Sequence, residues 1–295
     1  MAEVINIEFT RFSAFYSPLI AAIAGGFLKA EGLDAKHSVS PPGVSAIGGL
    51  VDGRLHVAQS APSQGFTPLE KGMRPVTAHF AQINEKDGFF ITARAADPDF
   101  AWAKLKGKRV LVDHGAQPMA MFRYACFKSG LDFNDIVAVD AGSTDQMIAA
   151  FRKGEGDYIH LQGPAPQQLV HDKAGHIVTS LADAIGPCAF SSLAAHRDWL
   201  QTDMARAFMR GYRKARAWLI ETPAAEVARV EAPYFKDIDV GVLAETIGAY
   251  QRMGNWSPHV EITRSAFNAT VDIFMHAGLI TKRHAYEDVI APPPA

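Results

Sequence analysis

The chain has 295 residues, 48% of them hydrophobic and 20% charged, and a formal net charge of -2. Its length exceeds what one hydrophobic core usually serves, so two domains of ordinary size are expected. The near-neutral balance, with basic residues dispersed rather than striped, excludes the field that gathers nucleic acid or an anionic membrane surface.

The alternation of Val4, Ile5, Ile7 and Phe9 predicts a first strand, followed by a loop over 11–16. Ser17-Pro18 opens a helix, with serine as cap and proline at the first helical position, and Gly32 closes it. Within it the apolar run 19–28 is too short to cross a bilayer and is broken by Gly25 and Gly26. A strand over 35–39, the loop Pro41-Pro42-Gly43, a helix over about 45–51 and a strand over 55–59 complete a βαβαβ run. Right-handed crossovers make such a run a parallel sheet covered by helices on both faces.

Further strands are predicted over 76–80 and 88–93, the second passing between lobes. LKGKR at 105–109 begins a new unit: a strand over 110–113, the turn His114-Gly115, a helix over about 118–128 closed by Gly130, and a strand over 136–139. Ser143 and Gln146 have capping-box spacing before a helix over 147–152. A strand over 158–161 follows, then segments 177–180 and 188–192. The rest is mostly helical, over 203–221, 224–234, 240–252 and 264–277, and these helices are expected to pack on the first lobe.

One stretch occurs twice. GRLHVAQSAP at 53–62 and GEGDYIHLQGP at 154–164 align without gaps, Gly53 on Gly154 and His56 on Asp157. Each follows a helical run, turns at glycine, makes a short apolar strand and breaks at a proline-containing loop. Two like lobes, each ending a strand in a polar loop, predict a cleft between them.

Loops at the carboxyl ends of parallel strands converge, and the helix N-termini there present free N–H groups. That rule selects Arg11, Phe12, Ser13, Tyr16, Gln59, Ser60, His79, Phe80, Asp113, His114, Gln117, Ser143, Thr144, Gln162 and Gly163 as candidate ligand-binding residues. The set is mostly neutral polar groups and aromatics, which suits a small organic ligand held by directional hydrogen bonds and ring contacts. Arg11 is the only cation in it and offers a place for a carboxylate, sulfonate or phosphate. Helix capping by Ser143 and Gln117 and edge packing by Phe12 and Phe15 are equally consistent with the pattern. Trp256 and His259 lie on a loop between C-terminal helices, where the indole either covers a cleft mouth or caps a core.

Cys126 and Cys188 are too few for a disulfide scaffold and lack metal or redox spacing. Cys126, among Met119, Met121, Phe122 and Phe127, reads as a packing residue. The eleven histidines form no metal-ligand pattern, so no metal and no cofactor are expected. The N-terminus shows no basic region, apolar stretch and cleavage site in succession. A periplasmic location is expected if the chain is a mature form, and a cytoplasmic one if Met1 is native.

FYSPL at 15–19, AGGFLKAEGL at 24–33, LVDGRLHVA at 50–58, LKGKRVLV at 105–112 and AAFRKGEGD at 149–157 resemble the type II periplasmic binding proteins. Within that fold they are similar to the nitrate/sulfonate/taurine-type solute-binding proteins and their thiamine-pyrimidine-precursor relatives. The resemblance runs from Val4 to about Ile280. It implies an α/β two-lobe fold with lobe one at 1–91 and 193–295, lobe two at 92–192, and the ligand cleft between them. It further implies a monomeric trap that closes on a small solute and hands it to an ABC permease. The absent export signal departs from that pattern. Cytoplasmic lyases and hydrolases of desulfinase or decarboxylase type share the fold, and here that alternative would use Cys188 as nucleophile or His114, His79 and Asp113 as acid and base groups. The selected loops carry no lysine, which disfavours a pyridoxal-dependent version.

Overall fold

The computed structural model describes residues 2–41 and 44–295. Pro42 and Gly43 of the loop expected at 41–43 lie outside the described residues. Ten strands are present among the described residues: β1 Glu3–Phe9, β2 Leu33–Val39, β3 Val57–Ser60, β4 Thr77–Asn84, β5 Phe89–Ala93, β6 Arg109–Leu111, β7 Val137–Val139, β8 Tyr158–Gln162, β9 His176–Ser180 and β10 Ser191–His196. They form two five-stranded sheets, β2-β1-β3-β10-β4 and β7-β6-β8-β5-β9.

The two orders have one topology. In each sheet one strand lies between two parallel partners, β1 between β2 and β3, β6 between β7 and β8. The central strand then pairs antiparallel with a strand that follows a crossing between lobes, β3 with β10 and β8 with β5. The duplicated stretches occupy equivalent places: Gly53 and Gly154 both take a positive φ, 76° and 95°, and turn a helix into the central strand.

The chain leaves the first sheet after Asn84, enters the second at Phe89, leaves it after Ser180 and returns at Ser191. Phe89, Phe90 and Ile91, expected in lobe one, thus belong to the second sheet. Their backbone pairs with Gln162, Leu161 and His160 of β8, and that pairing sets the crossing a few residues earlier than the boundary the resemblance implied. Every residue of β4 is buried although it is an edge strand. The C-terminal segment covers it: His79 bridges Ile290, and Ala291 N–H donates to His79 C=O at 3.0 Å, which removes an exposed edge.

Helix 17–24 begins at Ser17, but the serine does not cap it. Ser13 caps the preceding 3-10 turn Ala14–Tyr16, while Ser17 Oγ lies 2.7 Å from the buried Glu231 carboxyl. Ser143 and Gln146 do form the expected capping box, on a helix that starts earlier than predicted, at Thr144–Lys153. The helix Asp203–Glu221 packs on the two helices after β1. Two later helices reach beyond the first lobe, which corrects the expectation that all pack there. Val240–Met253 touches Ala165–His171, and Arg264–His276 touches Ala116–Lys128, because both lie across the lobe junction.

Candidate functional site

Strand direction decides where the lobes can hold anything. The carboxyl ends of β1 and β3 in one lobe face those of β6 and β8 in the other, and the loops that follow them line the space between. Two adjoining cavities lie there. The outer, of about 330 Å³, is walled by Thr10, Tyr16, Gln59, Ser60, Gln117 and Phe190, together with Ser45, Ala46 and Ser191. The inner, of about 370 Å³, is walled by Phe12, Ser13, Asp113, Thr144, His160 and Gly163. Arg11, Phe89 and Gln162 line both.

Several hydrogen bonds hold the walls across the junction. Ser13 Oγ donates to Gly163 C=O at 2.6 Å, Gly163 N–H donates to Tyr250 Oη at 2.9 Å, and Tyr250 Oη donates to Gly88 C=O at 2.8 Å. One tyrosine from a C-terminal helix therefore anchors both the first crossing and the loop after β8. A Cβ at Gly163 would stand 2.6 Å from Thr246 Cγ2 and 2.7 Å from Tyr250 Oη, so the close approach requires glycine. On the other side Ser63 Oγ donates to Gln117 Oε1 at 2.7 Å, and Gln117 Nε2 donates to Phe190 C=O at 3.0 Å. Gln117, at the start of a second-lobe helix, is thereby fixed to lobe one and to the second crossing.

Polar satisfaction is uneven. Gln59 Oε1 accepts from both the backbone N–H and the hydroxyl of Thr10. Gln162 is only 8% exposed, yet its Oε1 has no partner among the described residues. His160 is fully buried between Phe89 and Phe122, stacked at 4.4 and 5.0 Å, and neither ring nitrogen has a partner there. Burial lowers its pKa from 6.5 to about 3, so the ring is neutral near pH 7. Arg11 Nη1 faces Asp113 Oδ2 across the junction at 3.8 Å, too long for a hydrogen bond.

Asp87 sits in the first crossing, fully buried. Its Oδ1 accepts from Phe89 N–H at 2.6 Å and its Oδ2 is unpartnered among the described residues. Desolvation raises its pKa from 3.8 to about 7, against the lowering effect of the Phe89 bond.

The candidate residues divide as follows. Arg11, Tyr16, Gln59, Ser60, Gln117 and Gln162 line the outer cavity, and Arg11, Phe12, Ser13, Asp113, Thr144, Gln162 and Gly163 the inner one. His79 and Phe80 do not reach either. His79 is buried in β4 with Nδ1 2.8 Å from Ser192 Oγ, and Phe80 packs on Trp199 and Phe208. His114 turns back to its own strand, Nδ1 2.7 Å from Val112 C=O, and Ser143 is spent on the capping box. Trp256 is buried, donating from Nε1 to Phe15 C=O at 3.2 Å, so it caps a core rather than the cleft.

The nucleophile suggested for an enzyme is unfit for that role. Cys188 is fully buried, and burial together with the Asp87 and Glu85 charges pushes its thiol pKa well above 9.0, whereas a nucleophile must reach the thiolate. Among the described residues no group of three or more His, Cys, Asp or Glu side chains is placed to hold a metal ion.

Thr10, Phe89, Phe190 and His160 are wall residues that the strand-tip rule missed. Phe190 lies on the second crossing and Phe89 opens β5 at the end of the first, next to Gly88. His160 stands in the duplicated stretch opposite Gln59, and that alignment was the available signal.

Paired sheets of one topology with a cavity at their facing strand tips define a two-lobed ligand-cleft protein of the type II periplasmic-binding fold. The chain belongs to the NMT1/THI5-like family, whose model matches residues 14–226. It is 26% identical over 282 residues to YtlA of Bacillus subtilis (strain 168), covering 94% of this chain and 84% of that one. The periplasmic aliphatic sulphonate binding protein SsuA of Escherichia coli superposes with a TM-score of 0.77 at 16% identity, covering 99% and 93%. The alkanesulfonate-binding protein SsuA of Xanthomonas axonopodis pv. citri, bound to MOPS, gives 0.74 at 18% identity, covering 99% and 100%. At these identities the structural likeness is one of fold. No described helix is long and apolar enough to cross a membrane.

Proposed function

We propose that the protein binds a small organic acid in the interlobe cleft and serves as the substrate-binding component of an ABC-type importer. The observation that carries the reading is the cleft itself: a cavity of about 330 Å³, walled by neutral polar and aromatic side chains from both lobes, with Arg11 as the cation on its wall. Pockets of this size and make-up hold small ligands by a few placed polar groups against apolar surface. A guanidinium at the lobe junction suits a carboxylate or sulfonate, because charge-assisted bonds to it are short and strong.

Family membership and the sulphonate-binding neighbours support solute delivery as the biological use. On this reading the protein acts as a monomer outside the membrane and docks on a permease after closing. Gln59, Ser60, Gln117 and Gln162 orient the solute, and Tyr16, Phe89 and Phe190 pack on its body. The buried state of Cys188 weighs against turnover on the same fold.

Native mass spectrometry of protein purified without refolding tests the reading. A retained organic acid at one per chain, released unchanged on denaturation and absent from Arg11→Gln, is the expected result. A retained product of bond cleavage, or equal retention by the Arg11 variant, would count against it.

A further inference from the structure

We propose that Asp87 makes the parting of the lobes a proton-linked motion: its fully buried carboxyl in the first crossing holds the lobes together while it carries a proton and lets them part as it loses it. The chain passes between the sheets twice, between Asn84 and Phe89 and between Ser180 and Ser191, and each sheet is tied within itself by its ladders. Rotation of one lobe on the other must therefore be absorbed by the backbone of those crossings. Asp87 stands where that change falls. Its Oδ1 accepts the N–H of Phe89, the first residue of β5, at 2.6 Å, and its own C=O accepts Asn255 Nδ2 from the C-terminal chain at 2.9 Å. One residue thus grips the second sheet by its side chain and the loop after helix Val240–Met253 by its backbone.

The surroundings seal this carboxyl and give it no countercharge. Gly88 lies against Phe15 and its C=O accepts Tyr250 Oη at 2.8 Å, while Cys188 N–H donates to Glu85 C=O at 2.8 Å and so pins the second crossing to the first. Cys188 and Tyr250 share the buried space and stay neutral, because burial pushes both pKa values well above 9.0 and 10.0. The charged groups nearby are engaged elsewhere. Lys86 gives its ammonium to Met253 C=O at 2.5 Å, Arg216 donates to the Ile83 and Ser257 carbonyls at 3.0 and 2.6 Å, and Glu85 is held by Thr263 Oγ1 at 3.1 Å and His259 Nε2 at 3.2 Å. Among the described residues no cation contacts the Asp87 carboxyl, and its Oδ2 has no partner. Desolvation thus holds the proton on it up to about pH 7. Swinging β5 away from Phe15 and Tyr250 admits water and returns the carboxyl to its ordinary range near 3.8. Between these limits parting releases a proton, so the ratio of parted to joined lobes rises with pH, by up to about tenfold per unit.

Pulsed electron resonance between two nitroxides on the full chain, without added solute, tests this. Ser38→Cys on β2 and Ala149→Cys on helix Thr144–Lys153 place one label on each lobe at exposed positions, and the native Cys126 and Cys188 are buried from the reagent. A single short distance is expected at pH 5, with the ratio of a longer distance to it rising about tenfold or more by pH 7. Asp87→Asn keeps Oδ1 for the Phe89 N–H and cannot ionise, so it should show the short distance throughout. His259→Gln, which removes the titratable partner of Glu85, should respond to pH as the native chain does. A distance distribution indifferent to pH between 5 and 8, a response that survives Asp87→Asn, or one abolished by His259→Gln overturns the inference. No solute enters the measurement, so none of these outcomes bears on whether the cleft binds one.

Discussion

At the start of β3, His56 Nδ1 accepts the Asn6 N–H at 2.9 Å; at the start of β8, Asp157 Oδ2 accepts the Arg109 N–H at 2.9 Å. Each residue's own N–H returns to the same neighbour's carbonyl, at 2.9 and 2.8 Å. The two lobes therefore pin their central strands to a parallel neighbour, β3 to β1 and β8 to β6, by one device, with a different side chain in each. Three residues on, they part. Gln59 of lobe one is engaged by Thr10, whereas its counterpart His160 of lobe two is left without partners between two phenylalanines. The shared device is a matter of folding and constrains both copies. The divergence lies beside the cleft, where the polar side chain of lobe one is engaged by the fold and that of lobe two has no partner among the described residues.

The crossings set the terms on which the lobes meet, and Asp87 in the first gives the largest expected effect. Between pH 3.8 and about 7 the unfolded carboxyl has lost its proton while the folded one keeps it. Stability from this group is thus full below about pH 4, falls as pH rises and levels off above about 7. The shift corresponds to on the order of 4 kcal/mol. Asp87→Asn, compared with the native chain by urea unfolding from pH 4 to 8, should remove that slope and gain most at the alkaline end. A difference between the two proteins that is constant over this range would show that Asp87 ionises normally.

Gly88→Ala comes next. A Cβ there would sit 2.4 Å from ring carbons of Phe15, which is fully buried and cannot withdraw. Overpacking of this kind costs about 1–3 kcal/mol, occasionally more. The variant should lower the thermal midpoint by several degrees, and an unchanged midpoint would mean that the crossing is looser than described.

The comparison of the lobes is sharpened by matched variants at Gln59 and His160. Gln59→Leu strands the Thr10 N–H and hydroxyl and should destabilise the fold by roughly 1–3 kcal/mol. His160→Phe removes two unsatisfied nitrogens from an aromatic sandwich and should leave stability equal or raise it by up to about 1 kcal/mol. Chemical denaturation of both separates a polar side chain that the fold engages from one that it leaves without a partner. A reversed order of effects would break the comparison.

Local signals were legible in the sequence. The helix Asp203–Glu221 and the Ser143–Gln146 capping box follow from residues within a few positions of each other, and the duplicated glycines marked the central strand of each sheet. What the chain hid depends on distant segments. His79 and Phe80 read as strand-tip residues, but β4 runs on to Asn84, so its tip lies four residues beyond Phe80. The C-terminal segment that seals β4 arrives from residues 290 and 291. Phe89 and Phe190 enter the cleft because antiparallel pairing brings both crossings to its floor, a consequence of topology that no short window contains.

A thermal-shift screen of organic acids, run in parallel on the native chain and on Arg11→Gln, tests the central claim most directly. At least one acid should raise the native midpoint progressively with its concentration, be recovered unchanged, and fail to stabilise the variant to the same degree. A native midpoint indifferent to every acid, or one raised equally in the variant, would contradict a solute held at the meeting of the two lobes.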